Sequence, residues 1–474
     1  MAAIDQNKKV LFESTPIPKA IATLAIPTII SQMISVIYNM VDTFYIGRTG
    51  NPYMIAATSL SLTVMLLNLS FANLFGIGGG SLMARLMGMQ RADEAKNVCA
   101  FSVYGAAAIS IVYSLLVWIF LDPLLRFLGA SDDTIGFASQ YIFYIVIIGC
   151  VFSTLSMTLA FLLRNTGYSG KASIGLSGGG ILNMALDPLF MFVILPRGME
   201  VTGAAIATLI SNVCSCVYLL VSLKKASAAA PLSLKFSDAR RIGKANTKNL
   251  FSVGVPSAIL TGLFDVANVV MNILAAAHGD LVLAGIGIVM KIDRIPNAVN
   301  VGLSQGMMPL VAYNYASGDH ERMRNVIKFT RICGITVSVL CIILLEVFAG
   351  PVTNLFLSTS KGGAEAALAT VAFAAAFLRI RCLASPFAFL NYSNSYCMQA
   401  MGNGLGTMIH AILRQVAFYI PFMFILDKLF GENGLAAALP AGEFCGGIVA
   451  LILVSITIKK AALQRKQNNE VPEQ

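Results

Sequence analysis

Pro27-Thr-Ile-Ile-Ser-Gln-Met-Ile-Ser-Val-Ile-Tyr38-Asn39-Met-Val-Asp42-Thr-Phe-Tyr45 is answered 229 residues later by Pro256-Ser-Ala-Ile-Leu-Thr-Gly-Leu-Phe-Asp265-Val-Ala-Asn268-Val-Val-Met271-Asn-Ile-Leu274. In each copy a proline opens a mostly apolar run, and Asn39 falls on Asn268. After a one-residue slip the shift is 228, and Gly78, Leu82, Ala84, Asn97, Val98 and Phe101 meet Gly306, Leu310, Ala312, Asn325, Val326 and Phe329. Late in each half, Gly203-Ala-Ala-Ile-Ala returns as Gly434-Leu-Ala-Ala-Ala. A chain written twice in apolar helices is a common build of secondary transporters, whose solute site lies where the repeats meet.

Composition fits that reading. The 474 residues are 57% hydrophobic and only 12% charged, with a mean hydropathy of +0.76. A soluble domain carries about a quarter charged residues, so this chain lacks the polar groups to cover a globular surface. Its nine cysteines lie in or beside apolar runs without metal-ligand spacing, and they read as small core residues. The polar start, Met1 to Pro18, lacks a signal-peptide n-region and cleavage site, so insertion is expected from the spans themselves. His278, His320 and His410 are scattered and form no zinc-protease motif, and Gly78-Gly-Gly-Ser81 lacks the ending of a phosphate loop. The chain is therefore not expected to be an enzyme or to need a cofactor, and an ion gradient is left as its energy source.

A membrane span needs about 20 mostly apolar residues. Twelve are expected, beginning near Ala20, Met54, Val98, Phe137, Ala172, Gly203, Asn249, Val282, Val326, Val371, Gly406 and Gly434. The expected organisation is an N-terminal segment, 1–19; a first lobe of six spans, 20–223; a basic linker, 224–248; a second lobe of six spans, 249–458; and a tail, 459–474. With both termini on one side, 23 of the 33 Lys and Arg fall on that side. The opposite side holds five, Arg48, Arg126, Arg197, Lys361 and Lys428. The positive-inside rule then places both termini and the linker in the cytoplasm. The net charge of +10 is mostly topology, and no basic soluble module invites nucleic acid. Pro27, Pro256, Pro296 and Pro386 interrupt spans one, seven, eight and ten, and are read as bends around a cavity.

Ionisable groups inside a membrane are costly and suggest function. In the first half, Asp42 lies on span one with Ser35, Tyr38, Asn39 and Tyr45 at three- and four-residue spacings along one face. Asp187 lies on span five with Asn183 one turn earlier, and Thr208 on span six. Oxygens of these four residues, Asp42, Asn183, Asp187 and Thr208, can coordinate Na⁺; alternatively, desolvated carboxylates can bind and release H⁺. The repeat sharpens this, because Asp42 falls on Met271 and Asp187 on the apolar stretch around Phe418 to Phe422. The ion site is thus expected in the first half alone. The second half carries Asp265, Lys291, Asp293, Arg294, Arg379, Arg381 and Arg414, a surplus of three positive charges. They are read as lining a solute cavity or pairing with one another, for example Asp293 with an arginine of span ten. Met290, Met307, Met308, Met398 and Met401 are expected to offer adaptable apolar lining.

Several segments carry a resemblance over about residues 15 to 460. They are Pro27…Asn39-Met-Val-Asp42-Thr43-Phe-Tyr45; Gly78-Gly-Gly-Ser…Arg85 leading to Arg91-Ala-Asp-Glu; and Leu163-Arg164-Asn-Thr-Gly167. Asn183-Met-Ala-Leu-Asp187-Pro188, Gly203-Ala-Ala-Ile-Ala-Thr208 and Gln305-Gly306-Met-Met-Pro309…Tyr313-Asn-Tyr315-Ala complete the set. In order and spacing this resembles the multidrug and toxic compound extrusion (MATE) transporters, and the Asn-Tyr-Ala ending looks like their MepA-like bacterial branch. The resemblance implies two six-helix lobes in a V around a cleft, in a bacterial cytoplasmic membrane, and export of organic solutes in exchange for H⁺ or Na⁺. It maps the family's coupling site onto Asp42, Asn183, Asp187 and Thr208. Small organic solutes and the lipid bilayer are the expected partners, and a monomer is the expected state. Arg379 and Arg381 stand where a carboxylate of span ten is expected in one branch. They favour, as the alternative, a flippase or exporter of an anionic or lipid-linked solute.

Overall fold

The computed structural model describes residues 6–355 and 364–469, which are helical apart from short connections. Lys361, counted above on the far side, and the chain ends 1–5 and 470–474 lie outside the described residues. Span one is Ile17–Arg48, span two Pro52–Gly88 and span three Ala92–Ile119. Span four is bent, Asp132–Ile148 followed by Cys150–Asn165; span five is Ser169–Ile194 and span six Glu200–Ala226. Span seven is Lys244–Ala277, span eight Asp280–Ser317 and span nine His320–Leu355. Span ten is bent, Ala364–Cys382 followed by Ser385–Ala400. Span eleven is Gly404–Phe430 and span twelve Glu432–Asn469. Each begins a few residues before its apolar window, because helices start in the polar zone where caps such as the Asn51 side chain, accepting from the Tyr53 amide, satisfy free backbone groups.

Among the described residues, nine helices are long and apolar enough to cross a membrane singly, and the bent pairs raise that to 11. Span eight is the twelfth. Its 38 residues reach about 57 Å at the α-helical rise, but Lys291, Asp293 and Arg294 and then Asn297, Asn300, Ser304 and Gln305 dilute its hydropathy. A span this polar needs protein, not lipid, around its polar face.

The duplication is visible in the helices. Spans four and ten, equivalent in the repeat, bend by 47° and 48°. Spans five and eleven, also equivalent, both contain π-helical turns, at Phe190–Ile194 and Leu413–Tyr419. Proline is a poor guide to these bends. Helix continues through Pro27, Pro256 and Pro296; of the four expected bends only that at Pro386 coincides with a break, at the start of the second half of span ten. The bend of span four comes at Gly149, which no proline marks. The carbonyl that Pro256 leaves without its helical donor, that of Ser252, lies instead against Gly404 of span eleven.

Spans one to six form an N-lobe around Leu82, Met83, Val98, Leu159, Leu163 and Leu219. Spans seven to twelve form a C-lobe around Met271, Ile286, Phe377, Leu378 and Met423. The lobes join by one contact used twice: span one packs on span eight, and span two on span seven. Gly78 shows how close this packing is, since a Cβ there would strike Leu250 of span seven, while Gly79 and Gly80 pack as closely inside the N-lobe, against Ser102 and Asn165. Gly306 likewise admits the backbone of Ala25. A core drawn from both lobes, including Ala25, Ile77, Met87, Val253, Met307, Met308 and Met401, seals the half of the molecule that carries the termini. The short helix Gln6–Glu13 closes that end. Its Phe12 is fully buried and stacks on Tyr313 of span eight at 4.9 Å, while Arg322 of span nine donates to the Phe12 and Thr15 carbonyls. The cleft between the lobes lies toward the other side.

Candidate functional site

Tyr38 and Asp42 stand one turn apart on span one, and Gly180 of span five faces Tyr38 so closely that a Cβ there would lie 2.8 Å from its ring. That approach brings span one and its carboxylate to span five. Asp187, fully buried, ends the regular part of span five just before Pro188 and the π turn. Its Oδ1 accepts from Asn183 Nδ2 at 2.9 Å, and the same amide reaches Thr208 Oγ1 at 3.2 Å. Asp187 Oδ2 and Asp42 Oδ1 are buried without a hydrogen-bond partner among the described residues. The carboxylates act electrostatically on each other, and both act on the phenol of Tyr141 from span four.

Five of the residues singled out in this lobe thus gather: Tyr38, Asp42, Asn183, Asp187 and Thr208. Asn39 is exposed and spends its amide on the Ser35 carbonyl at 2.6 Å. Tyr141 is the member that sequence spacing does not mark. Two neighbouring carboxylates, one buried and one at the edge of a cavity, repel each other, and a proton or a hard cation is the compensation their chemistry allows. Among the described residues no group of three or more His, Cys, Asp or Glu forms a metal site. A cation here would rest on two carboxylates completed by the Asn183 and Thr208 oxygens.

The C-lobe charges divide in two. Arg414 makes a two-pronged contact with Glu443 of span twelve, at 2.6 Å and 3.0 Å, and its guanidinium lies 4.7 Å from the Tyr392 ring. Asn391 donates to the same carboxylate at 2.6 Å, and His410 bridges Asn391 and Ser395. Arg381 pairs with Asp293 and reaches Tyr419. Arg379 faces Glu346 at 3.7 Å on a half-exposed surface. The surplus of three expected for this lobe is therefore corrected: Glu346 and Glu443 were left out of that count. Arg381, Arg414 and Asp293 are withdrawn from the cavity into helix packing and Arg379 pairs at an exposed surface, while Asp265, Lys291 and Arg294 make no ion pair among the described residues. Glu443 was findable by the rule that found Asp42, a carboxylate alone in an apolar span.

The methionines also differ from expectation. Met307, Met308, Met398 and Met401 are buried in the seal between the lobes, and Met290 packs on the C-lobe core. Arg85 and Arg164, at span ends on the terminus side, are buried too. Arg164 crosses to Gln305 of span eight at 2.6 Å, which in turn donates to Tyr396 at 2.9 Å.

On the cleft side a cavity of about 930 Å³ opens between the lobes, lined by Asp42, Phe44, Leu62 and Tyr141 from the N-lobe and by Ile288 and Lys291 from the C-lobe. The carboxylate end of the N-lobe cluster thus opens on a mostly apolar chamber large enough for a drug-sized molecule.

Comparison with known proteins bears on the family and the fold. The chain is similar to the multidrug export protein MepA of Staphylococcus saprophyticus, 28% identical over 457 residues that cover 95% of this chain and 98% of that protein. It is 29% identical to MepA of Staphylococcus aureus over 443 residues, 94% of each chain. A solved outward-facing conformation of a multidrug resistance MATE family transporter of the MOP superfamily superposes with a TM-score of 0.89 at 21% identity, covering 97% of this chain and 99% of the other. That likeness fixes the fold as twelve spans in two six-helix lobes. The MatE family model matches twice, at residues 27–189 and 256–425, once in each repeat and in the register first seen at Pro27 and Pro256. The chain is a member of the MatE family.

Proposed function

We propose that this protein is an ion-coupled exporter of organic solutes, exchanging H⁺ or Na⁺ for drug-like molecules by alternating access across a bacterial cytoplasmic membrane. The observation that carries the reading is the pair Asp42 and Asp187, each with a buried carboxylate oxygen that has no partner, beside a cavity shared by both lobes. The MepA relatives, named as multidrug export proteins, support the class of solute. The excess of Lys and Arg on the terminus side puts that side in the cytoplasm, so the sealed side is inward and the cleft faces outward. Lobes 20–223 and 249–458 move about the linker 224–248, and one chain suffices.

Exchange follows if ion and solute favour different states. A cation or proton arriving from outside compensates Asp42 and Asp187 and removes their attraction for a solute in the adjoining cavity. Solute leaves outward, the lobes close over the loaded carboxylates, and the ion departs on the cytoplasmic side. The alternative of a lipid-linked anion as substrate loses its main support, because Arg379, Arg381 and Arg414 already have carboxylate partners. Proteoliposomes with an imposed H⁺ gradient, Na⁺ gradient or neither test the reading. Dye efflux driven by one gradient and lost in Asp42→Asn is the expected result, and efflux indifferent to gradients or to that substitution overturns it.

A further inference from the structure

The cavity between the lobes is lined by one carboxylate and two cationic groups, Asp42, Lys291 and, at the end of span one, Arg48, none of which forms an ion pair among the described residues. Asp42 enters it from span one and Lys291 from span eight, and Lys291 makes no ion pair among the described residues. Arg294 stands three residues further on, on the same face of span eight and likewise exposed. It acts on Lys291 as a like charge, and on Tyr38 across the cleft and on Asp265 as well. Between the charged ends the walls are apolar, at Phe44, Ile55, Leu62 and Ile288.

Coulomb's law in a partly dry cavity discriminates among occupants. A purely cationic solute satisfies Asp42 but meets the like charges of Lys291 and Arg48 in the cavity wall and of Arg294 beside them. A purely anionic one has the reverse difficulty, and a neutral one displaces water from both without replacing it. An apolar body carrying a cation at one end and a carboxylate at the other satisfies both. We propose that Lys291, backed by Arg294, anchors a carboxylate on the transported molecule, and that the cavity selects amphiphilic zwitterions. This rests on the export reading above and adds the chemistry of the solute. It also suits exchange: loading the Asp42 site with an ion removes one of two anchors, which weakens the solute's hold without requiring that both be broken.

Rhodamine B, which carries a carboxylate beside its cationic xanthene, and rhodamine B ethyl ester, in which that carboxylate is masked, form a matched pair. Fluorescence anisotropy titrations on the purified full chain are expected to show the acid binding about tenfold more tightly than the ester, the worth of one charge-assisted contact. Lys291→Gln should abolish the preference, weakening the acid and strengthening the ester, while Lys291→Arg should restore it. A wild type that binds the ester as well as or better than the acid overturns the inference, as does an acid-to-ester ratio unchanged in Lys291→Gln. Efflux of both dyes from proteoliposomes separates this inference from the reading beneath it. Gradient-driven export of the ester with discrimination against the acid overturns the zwitterion inference and leaves export standing. Lys291-dependent binding of the acid, with no gradient-driven efflux of either dye, supports the anchor and overturns export.

Discussion

The two lobes share one ancestral pattern of spans, bends and π turns, yet they treat buried carboxylates in opposite ways. In the C-lobe, the two most buried carboxylates, Asp293 and Glu443, each face an arginine. Of the carboxylates singled out there, only the half-buried Asp265 is left without an ion pair among the described residues. In the N-lobe, Asp42 and Asp187 have no cationic partner among the described residues, and each keeps an oxygen unsatisfied there. A carboxylate cancelled inside its own lobe cannot answer to an ion from outside, whereas an uncancelled one must. The position equivalent to Asp42 makes the same point, since Met271 is fully buried in the C-lobe core. Duplication supplied the frame, and a few side chains divided the labour between its halves.

The sharpest way to break this comparison is to unpair the C-lobe. Glu443→Gln leaves Arg414, 2% exposed, without its counter-charge, and a buried pair broken on one side costs about 3–5 kcal/mol. We expect a large fall in the melting temperature of the detergent-solubilised protein, with most of it recovered in the double substitution Glu443→Leu, Arg414→Met. Asp187→Asn should do the reverse. The amide still accepts from Asn183, so melting should hold, while gradient-driven efflux falls about a hundredfold, equivalent to about 2.7 kcal/mol of coupling. If Asp187→Asn melts as early as Glu443→Gln, the N-lobe carboxylates are structural and the contrast fails. Asn183→Ala is milder: it removes one hydrogen bond to a charged group, and efflux should drop about tenfold.

Much of this was legible in the residues. Pro27 to Tyr45 and its copy mark the repeat, and a carboxylate in an apolar run marks both Asp42 and Asp187. The sequence was less informative where the outcome depends on partners distant along the chain. Arg414 and Glu443 lie in different spans, and so do Arg381 and Asp293, so their charges look like surplus until the helices pack. Tyr141 is one of 14 tyrosines and becomes part of the site only because spans one, four and five converge. Arg164 sits at a span end where the positive-inside rule expects a solvated charge, yet Gln305 takes it into the seal between the lobes. Bends were misplaced because proline frees a carbonyl without dictating where the helix yields, and Gly149 shows that it can yield elsewhere.

The smallest effect we expect concerns the seal itself, which only one face of the molecule possesses. Tyr313 of span eight donates to Glu13 of the N-terminal helix at 2.6 Å and accepts from Gln90, which follows span two, at 3.3 Å. Its hydroxyl thus ties the N-lobe, the C-lobe and the leading helix at one point. Tyr313→Phe keeps the ring stacked on Phe12 and removes only that oxygen, a loss of about 1 kcal/mol. If the lobes must part here to open inward, that sum lowers the cost of parting and raises the opened population about fivefold. A cysteine placed at Ala25, 1% exposed in the sealed state, reports it in a background free of the native cysteines. Its modification by a membrane-impermeant maleimide should quicken about fivefold in Tyr313→Phe. An unchanged rate would mean that Arg164 and Gln305 and the buried apolar core hold the seal without the tyrosine, so that the terminus-side closure depends on packing rather than on this three-way polar contact.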